Sequence, residues 1–302
     1  MSRVKVWLNA ARLRTLPLSV SGILVGAGLA GFYGYFNPII FFLSLLTTIG
    51  FQVTSNFAND YGDGVKGTDN EDRIGPKRVL QSGLLTRKAL KKGIYISIAI
   101  NVILVLVLVF YAFGLQHWQS ILIFLFLGAF SIWAAIKYTV GDSAYGYRGL
   151  GDIFVFLFFG LLSVLGSLFL HTKFITLVSV LPAISIGALS TGVLNLNNLR
   201  DCVSDKKASK NTIVVKIGYQ NGKMYQYILL LIAVLAISIF IMMHYHNFWS
   251  LMPMLTFFPL ALHFKKVSNT DQPLLLDPEL KTLALTTFFM ALLFFIYYNY
   301  FL

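Results

Sequence analysis

Long stretches without any charged residue dominate this chain and restrict what it can fold into. The stretch 15–59 is the longest, and 93–136 and 224–264 are nearly as long. A helix needs about 20 apolar residues to cross the hydrocarbon layer of a membrane, so each stretch is long enough for two crossings. Only 12% of the 302 residues are charged, against roughly 25% in soluble domains. The sequence therefore predicts an integral membrane protein.

Turn signals and shorter apolar stretches complete the count of spans. Turns near 31–38, 114–117 and 244–247 divide the three long stretches. Further stretches supply one span each, at 153–172, 174–199 and 282–302. The total is nine helices, which we expect to form a single all-α domain over residues 1–302. Residues 2–15 carry Trp7 and four cations, and we interpret them as an interfacial helix rather than a cleaved signal peptide.

Charged residues fall on one side of these nine spans. If the N-terminus lies inside, every Lys and Arg except Lys173, and all 12 Asp and Glu, lie on the inner side. Loops rich in Lys and Arg stay cytoplasmic. We therefore predict a multi-pass protein of the cell (inner) membrane whose N-terminus and chemically active loops face the cytoplasm. The same rule explains the net charge of +12, which is expected beside anionic lipid and does not indicate nucleic acid.

Two acidic clusters lie at the inner ends of apolar stretches. Asp60 and Asp63 are three residues apart, and Asp201 and Asp205 are four apart. On a helix, both spacings put the two carboxylates on one face. A carboxylate at mid-bilayer costs roughly 2.5 to 3.5 kcal/mol, so function is the default interpretation. Four neighbouring carboxylates would raise one another's pKa values without cations between them, and we predict that they bind two Mg²⁺ ions.

Basic residues accompany both clusters. Arg73 lies in the loop after the first cluster, and Arg200 lies within the second. Magnesium is usually held by a few protein oxygens together with the phosphates of a substrate. Carboxylates beside cations therefore favour a diphosphate site. Ordinary charged ends of membrane helices remain the alternative interpretation of each cluster taken alone.

Several motifs resemble the UbiA superfamily of intramembrane prenyltransferases. In order along nearly the whole chain they are 11–17, 56–63, 67–69 with 72–76, 145–152 and 194–201. The resemblance implies a nine-helix UbiA-type fold around a central cavity, Mg²⁺ dependence and a polyprenyl diphosphate donor. It also implies an aromatic acceptor that loses a carboxylate when it is prenylated. The segment 145–152 favours 1,4-dihydroxy-2-naphthoate as that acceptor, which gives demethylmenaquinol in menaquinone biosynthesis.

The resemblance assigns roles to individual residues. By position, the metal-binding residues are Asp60, Asp63, Asp201 and Asp205. The expected diphosphate residues are Asn56, Arg73, Lys137 and Arg200, and Tyr145 and Arg148 are expected at the acceptor. Asp69 matches the outer acidic residue of the first signature. In the family a Tyr usually precedes the lysine at position 137 by four residues, whereas this chain has Trp133 there.

The mechanism expected from these roles is electrophilic aromatic substitution. Magnesium and the cations would stabilise the departing diphosphate, and the electron-rich ring would attack the allylic cation left behind. No obligate protein partner is inferred, and the lipid bilayer is the expected surrounding. Another acceptor, such as 4-hydroxybenzoate, remains an alternative. A divalent-cation transporter is a further alternative, but transport sites commonly lie near the bilayer midplane and all acidic residues here lie at one face.

Overall fold

The computed structural model describes residues 2–67 and 78–302, in which the regular elements are helices. In hydrocarbon the backbone must satisfy its own hydrogen bonds, which a helix does within one segment. Eight helices are long and apolar enough to cross a membrane, which confirms the predicted all-α membrane architecture. The α-helices are α1 (Arg3–Ala11), α2 (Leu16–Phe32), α3 (Pro38–Lys66), α4 (Arg87–Phe113), α5 (Trp118–Lys137), α6 (Gly151–Thr172), α7 (Val180–Arg200), α8 (Cys202–Lys207), α9 (Ile213–Ile217), α10 (Tyr219–Met243), α11 (Phe257–Ser268) and α12 (Asp277–Tyr300).

The helix boundaries fall close to the predicted turns. At the start of α3 the side chain of Asn37 accepts hydrogen bonds from the backbone N–H groups of Ile39 (2.9 Å) and Ile40 (3.1 Å). An N-cap of this kind satisfies donors that the first helical turn leaves free. The predicted eighth span corresponds to a 3-10 helix, Phe248–Thr256, that continues directly into α11. Because this segment is not among the eight long apolar helices, the count of nine stays a prediction.

The N-terminal helix α1 is separate from α2, and its predicted position at the membrane interface stays a prediction. The chain leaves α1 at Arg12, whose φ of 49° is in the left-handed region. A short 3-10 turn, Leu13–Thr15, then leads into α2. Trp7 of α1 packs edge-on against Phe57 of α3, with 5.4 Å between the ring centres. These contacts hold α1 against the end of α3 that carries the first acidic cluster.

Small residues let the central helices approach closely. A Cβ on Gly26 of α2 would lie 2.4 Å from the carbonyl oxygen of Val164 on α6, and one on Gly28 would lie 2.8 Å from a ring carbon of Phe294 on α12. A Cβ on Gly160 would lie 2.5 Å from the Cα of Gly187 on α7. Membrane helices associate largely through such close packing. The chain therefore places α2 between α6 and α12, and α6 directly against α7.

Helices α2 and α12 run parallel in a fixed register. A Cβ on Gly28 would lie 3.2 Å from the Cα of Phe295, and one on Gly31 would lie 2.7 Å from the carbonyl oxygen of Tyr298, so these backbone contacts have the same sequence offset. The largest apolar core lies among α2, α7, α10 and α12. A cavity lies between α2, α3, α4, α5 and α6 and is also lined by residues of α7 and α12.

Candidate active site

A cavity of about 830 Å³ joins the two acidic clusters to a long apolar channel. Its charged end is lined by Asp63, Asp201 and Asp205, and its other end reaches Ser44 on α3 and Leu170 on α6. With a rise of about 1.5 Å per helical residue, the distance along α3 from Asp63 to Ser44 is about 28 Å. The cavity is therefore long, and the charged side chains of its lining lie at one end.

The first acidic cluster occupies the last two turns of α3. Asp60 is 1% exposed and forms a salt bridge with Arg12, and the Nε of Arg78 lies 3.6 Å from its Oδ1. Asp63 is contacted by the Nη1 of Arg78 at 2.5 Å, and the hydroxyl of Tyr147 donates to it at 2.6 Å. Such charge-assisted bonds offset the cost of burying the carboxylates.

Local structure fixes the two arginines of this cluster. The Asn56 side chain donates to the backbone oxygen of Ala11 at 2.8 Å, which holds the end of α1 where Arg12 turns toward α3. Arg78 donates to the backbone oxygen of Asn59 at 2.8 Å. Asn56 was expected at the diphosphate, and in this structure its amide N–H groups position α1. Its contact with a substrate stays a prediction.

The second acidic cluster is organised by Arg200 at the end of α7. Its Nε and Nη2 donate to the two carboxylate oxygens of Asp201 at 2.7 and 2.6 Å. Nη1 donates to Asp277 at 2.6 Å, and Nη2 also donates to Asn197 at 2.8 Å. Arg200 is 5% exposed, so the guanidinium is enclosed by these acceptors. It ties the end of α7 to the start of α12.

Asp201 and Asp205 do not share one continuous helix. The chain leaves the helical conformation at Asp201, with φ −95° and ψ 7°, and Asp205 lies in the short helix α8. The backbone N–H of Asp205 still donates to the carbonyl of Asp201 at 2.8 Å, so the two residues remain one turn apart. The expected spacing of one helical turn is kept, but Asp201 lies at the junction of α7 and α8, whereas Asp205 lies within α8.

Burial and neighbouring charges act on the Asp205 carboxyl. Burial raises the pKa of Asp205, the Lys210 ammonium lowers it, and the nearby charges of Asp201 and Asp63 raise it further. Lys210 Nζ lies 3.2 Å from one oxygen of Asp205. The other oxygen is buried and has no hydrogen-bond partner among the described residues. Asp63, Asp201 and Asp205 line the same end of one cavity, so the two clusters are close.

These residues fit a divalent metal that prefers oxygen ligands. In the described part of the chain, no three His, Cys, Asp or Glu side chains are grouped tightly enough to enclose a metal by themselves. Magnesium does not need such a group, because it commonly uses one or two carboxylates together with waters and substrate phosphates. The buried free oxygen of Asp205, in a cavity shared with Asp63 and Asp201, is suited to that role.

Of the predicted diphosphate residues, Lys137 lies away from the clusters and Arg73 falls outside the described residues. Lys137 ends α5 and lies outside the lining of the cavity, and its Nζ would be 3.4 Å from a Cβ on Gly141. Arg73 and Asp69 fall within 68–77, outside the described residues. The roles given to all three stay predictions.

The two predicted acceptor residues have different environments. Tyr145 lines the cavity, donates its hydroxyl to the backbone oxygen of Ala134 at 2.8 Å and stacks on Phe154 with ring centres 3.9 Å apart. Arg148 is exposed and lies outside the cavity lining. Trp133, where the family usually has Tyr, is 46% exposed and stacks near Tyr145 at 6.5 Å.

Three residues at the site were missed by sequence reasoning. Arg12, Tyr147 and Asp277 each contact a residue of an acidic cluster. Arg12 and Tyr147 lie inside motifs at 11–17 and 145–152, so a sequence signal existed for their segments. Asp277 lies in none of the motifs, and only the packing of α12 beside α7 brings it to Arg200.

Comparison with protein families and curated proteins gives concordant matches. The model of the UbiA prenyltransferase family matches residues 19–293. The 1,4-dihydroxy-2-naphthoate octaprenyltransferase of Escherichia coli (strain K12) is 41% identical over 281 residues, which cover 93% of this chain and 91% of that protein. The protein of the same name from Haemophilus influenzae is also 41% identical, over 97% of this chain and 95% of its own length.

Solved structures show the same fold at low sequence identity. A UbiA homolog from Aeropyrum pernix K1 has a TM-score of 0.67 and 14% identity, covering 96% of this chain and 97% of the other. A UbiA homolog from Archaeoglobus fulgidus, bound to DMAPP and Mg²⁺, has a TM-score of 0.64 and 15% identity, covering 95% and 98%. Both similarities concern the arrangement of the helices.

Proposed function

We propose that this chain, which belongs to the UbiA prenyltransferase family, transfers a polyprenyl group from polyprenyl diphosphate to 1,4-dihydroxy-2-naphthoate. The acceptor loses CO₂, and the product is demethylmenaquinol of menaquinone biosynthesis. The names of the curated relatives support the acceptor and the class of donor. The observation that carries the proposal is one cavity, about 28 Å long from Asp63 to Ser44, that joins Asp63, Asp201 and Asp205 to an apolar channel.

The two ends of the cavity suit the two parts of the donor. The channel between α3, α4, α5 and α6 is lined mainly by apolar side chains, which suit an isoprenoid tail. The charged end combines carboxylates with arginines, which suits a metal-bound diphosphate. A donor bound this way has its reactive carbon where the polar and apolar regions meet.

The protein groups at the charged end would hold and then release the diphosphate. The aspartates would hold Mg²⁺, which would supply positive charge to offset the negative charge that the leaving group gains. Arg12 and Arg78, which contact Asp60 and Asp63, are within reach to exchange a carboxylate oxygen for a phosphate oxygen. Arg200 orients Asp201 with four of its five N–H donors bonded to protein oxygens, and it lines the cavity, where we propose that it also meets the diphosphate.

For carbon–carbon bond formation, the protein then needs to do little more than position the two substrates and exclude water. The bond from C1 of the donor to the diphosphate breaks and its electron pair leaves with the diphosphate. The electron-rich naphthoate ring attacks C1, and loss of CO₂ restores the aromatic ring. Apolar walls limit the access of water, which would otherwise capture the allylic cation. Lys137 and Arg73 are proposed to assist at the diphosphate, and Tyr145 to contact the acceptor.

The orientation of the multi-pass chain follows from its charges. We propose that the acidic clusters and the N-terminus face the cytoplasm of the cell (inner) membrane, because the inner loops carry nearly all the Lys and Arg residues. This places the charged end of the cavity where divalent cations are available and where the released diphosphate can leave into water.

Product analysis tests the proposal. Purified protein in lipid nanodiscs is supplied with Mg²⁺, polyprenyl diphosphates of several lengths and either 1,4-dihydroxy-2-naphthoate or 4-hydroxybenzoate, and the products are identified by mass. We expect a decarboxylated, prenylated naphthalenediol and no comparable product from 4-hydroxybenzoate. The variant Asp271→Asn is a suitable control for substitutions of the site aspartates, since the side chain of Asp271 is 83% exposed and lies outside the cavity. Product from 4-hydroxybenzoate alone would refute the acceptor assignment.

A further inference from the structure

Two cations at the cavity have no hydrogen-bond or ion-pair partner among the described residues 2–67 and 78–302. Arg14 and Lys281 line the cavity, both are exposed, and neither makes a hydrogen bond or ion pair within the described part of the chain. The other described cations that line the cavity each contact an aspartate: Arg12, Arg78, Arg200 and Lys210. Arg14 and Lys281 therefore have charge available for a ligand.

The register of the helices brings these two cations to the same level. The parallel packing of α2 with α12 pairs Gly28 with Phe295, and the same offset extended toward the N-termini pairs Arg14 with Lys281. Arg14 belongs to the 3-10 turn that leads into α2, and Lys281 lies in the second turn of α12. Both therefore face the cavity from adjoining helices.

An apolar surface lies one turn further into the cavity on the same two helices. Pro17 and Leu18 of α2 and Ala284 and Leu285 of α12 all line the cavity, and the register sets the two pairs beside each other. A flat aromatic ring against this surface would put a substituent at its edge close to the two cations. Ligand sites commonly combine such an apolar wall with a few placed polar groups.

Each of the two cations also follows closely in the chain a residue that contacts an acidic cluster. Arg14 follows Arg12, which contacts Asp60, by two residues, and Lys281 follows Asp277, which accepts from Arg200, by one helical turn. A ring held here would be close to the reactive carbon of a donor whose diphosphate is bound between the clusters. The aspartates would repel an incoming anion, and two unpaired cations would offset that repulsion.

We propose that Arg14 and Lys281 bind the carboxylate of the aromatic acceptor. The inference rests on the proposed function, since only an acceptor with a carboxylate calls for these charges. A guanidinium can hold a carboxylate through two parallel hydrogen bonds, and an ammonium adds a second positive charge. The two residues select for a carboxylated acceptor and position its ring, and they leave the donor's diphosphate to the acidic clusters.

The test compares two acceptors that differ only in the carboxylate. Arg14→Gln, Lys281→Gln and the double variant are assayed with 1,4-dihydroxy-2-naphthoate and with 1,4-naphthalenediol, the latter as substrate or as competitive inhibitor. Losing one hydrogen bond to a charged group should raise the KM for the naphthoate about tenfold. The KM for polyprenyl diphosphate and the apparent affinity for the naphthalenediol should stay within about twofold of wild type, which also shows that the variants are folded.

Matched controls and contrary results complete the test. Arg87→Gln and Lys88→Gln alter exposed cations at the start of α4, outside the cavity, and should leave both KM values unchanged. An unchanged naphthoate KM in the double variant overturns the proposal. A raised KM for polyprenyl diphosphate, with naphthalenediol affected as strongly as naphthoate, also overturns it and assigns the cations to the donor. Failure of the wild-type protein to prenylate naphthoate would instead refute the proposed function.

Discussion

Replacing Arg200 with Met should destabilise the protein through one buried carboxylate. The substitution keeps an unbranched chain and removes the donors that reach both oxygens of Asp201 and one oxygen of Asp277. Asp201 is 8% exposed, and a buried charge left without its partner costs about 3 to 5 kcal/mol. The side chain of Asp277 is 54% exposed and can bind water instead, so losing its bond to Arg200 costs under about 1 kcal/mol of unfolding free energy.

Two further variants separate the contributions. Asp277→Asn should cost under about 1 kcal/mol, and Arg200→Met combined with Asp201→Asn should recover most of the loss because no unpaired buried charge remains. Unfolding free energies are measured by titrating detergent micelles with SDS and following helix content by circular dichroism. Millimolar Mg²⁺ should reduce the loss in Arg200→Met, since the cation can neutralise Asp201. A cost below about 1 kcal/mol for Arg200→Met, or no recovery in the double variant, would refute the reasoning.

Three other outcomes follow from the site and the packing. Asp205→Asn should lower kcat/KM about 100-fold or more, or about 2.7 kcal/mol, and raise the Mg²⁺ concentration needed for half-maximal rate, while Asp271→Asn changes neither. Because burial raises the pKa of Asp205 and Lys210 opposes that rise, Lys210→Gln should move the acidic limb of the rate profile to higher pH; a move to lower pH would contradict the assignment. Gly160→Ala should lower the unfolding free energy by about 1 to 3 kcal/mol, whereas Gly166→Ala on the same helix, with 3.6 Å to its nearest neighbour, should not; equal effects of the two would exclude the close helix contact.

The positions of the helices could be predicted well because one property dominates them. A charge-free stretch of membrane length has few alternatives to a helix, and the turns at 31–38 and 114–117 interrupt helices where expected. The segment Phe248–Ser268 was harder. Pro253 lies inside its first half, which is a 3-10 helix, so hydropathy alone does not establish a regular crossing there.

The sequence predicts which acidic and basic residues belong to the site, but only some of the contacts between them. Spacing indicated the aspartates, and three of the four line one cavity, whereas Asp60 lies beneath Arg12 and is almost fully buried. The partners Arg12 and Asp277 come from segments far apart in the chain, and only helix packing brings them to the aspartates. Lys137 shows a second limit of prediction from sequence. Its position at a helix end was predicted, but that position does not determine which way the long side chain points.

We propose above all that both acidic clusters act through Mg²⁺ on one prenyl diphosphate. Anomalous diffraction from crystals grown with Mn²⁺ and a non-hydrolysable polyprenyl thiodiphosphate tests it most directly. The account predicts metal peaks about 2.0 to 2.2 Å from oxygens of Asp63 and of Asp205, on opposite sides of a single diphosphate whose tail enters the apolar channel. Metal at one cluster only, or a diphosphate bound outside the cavity, would contradict it.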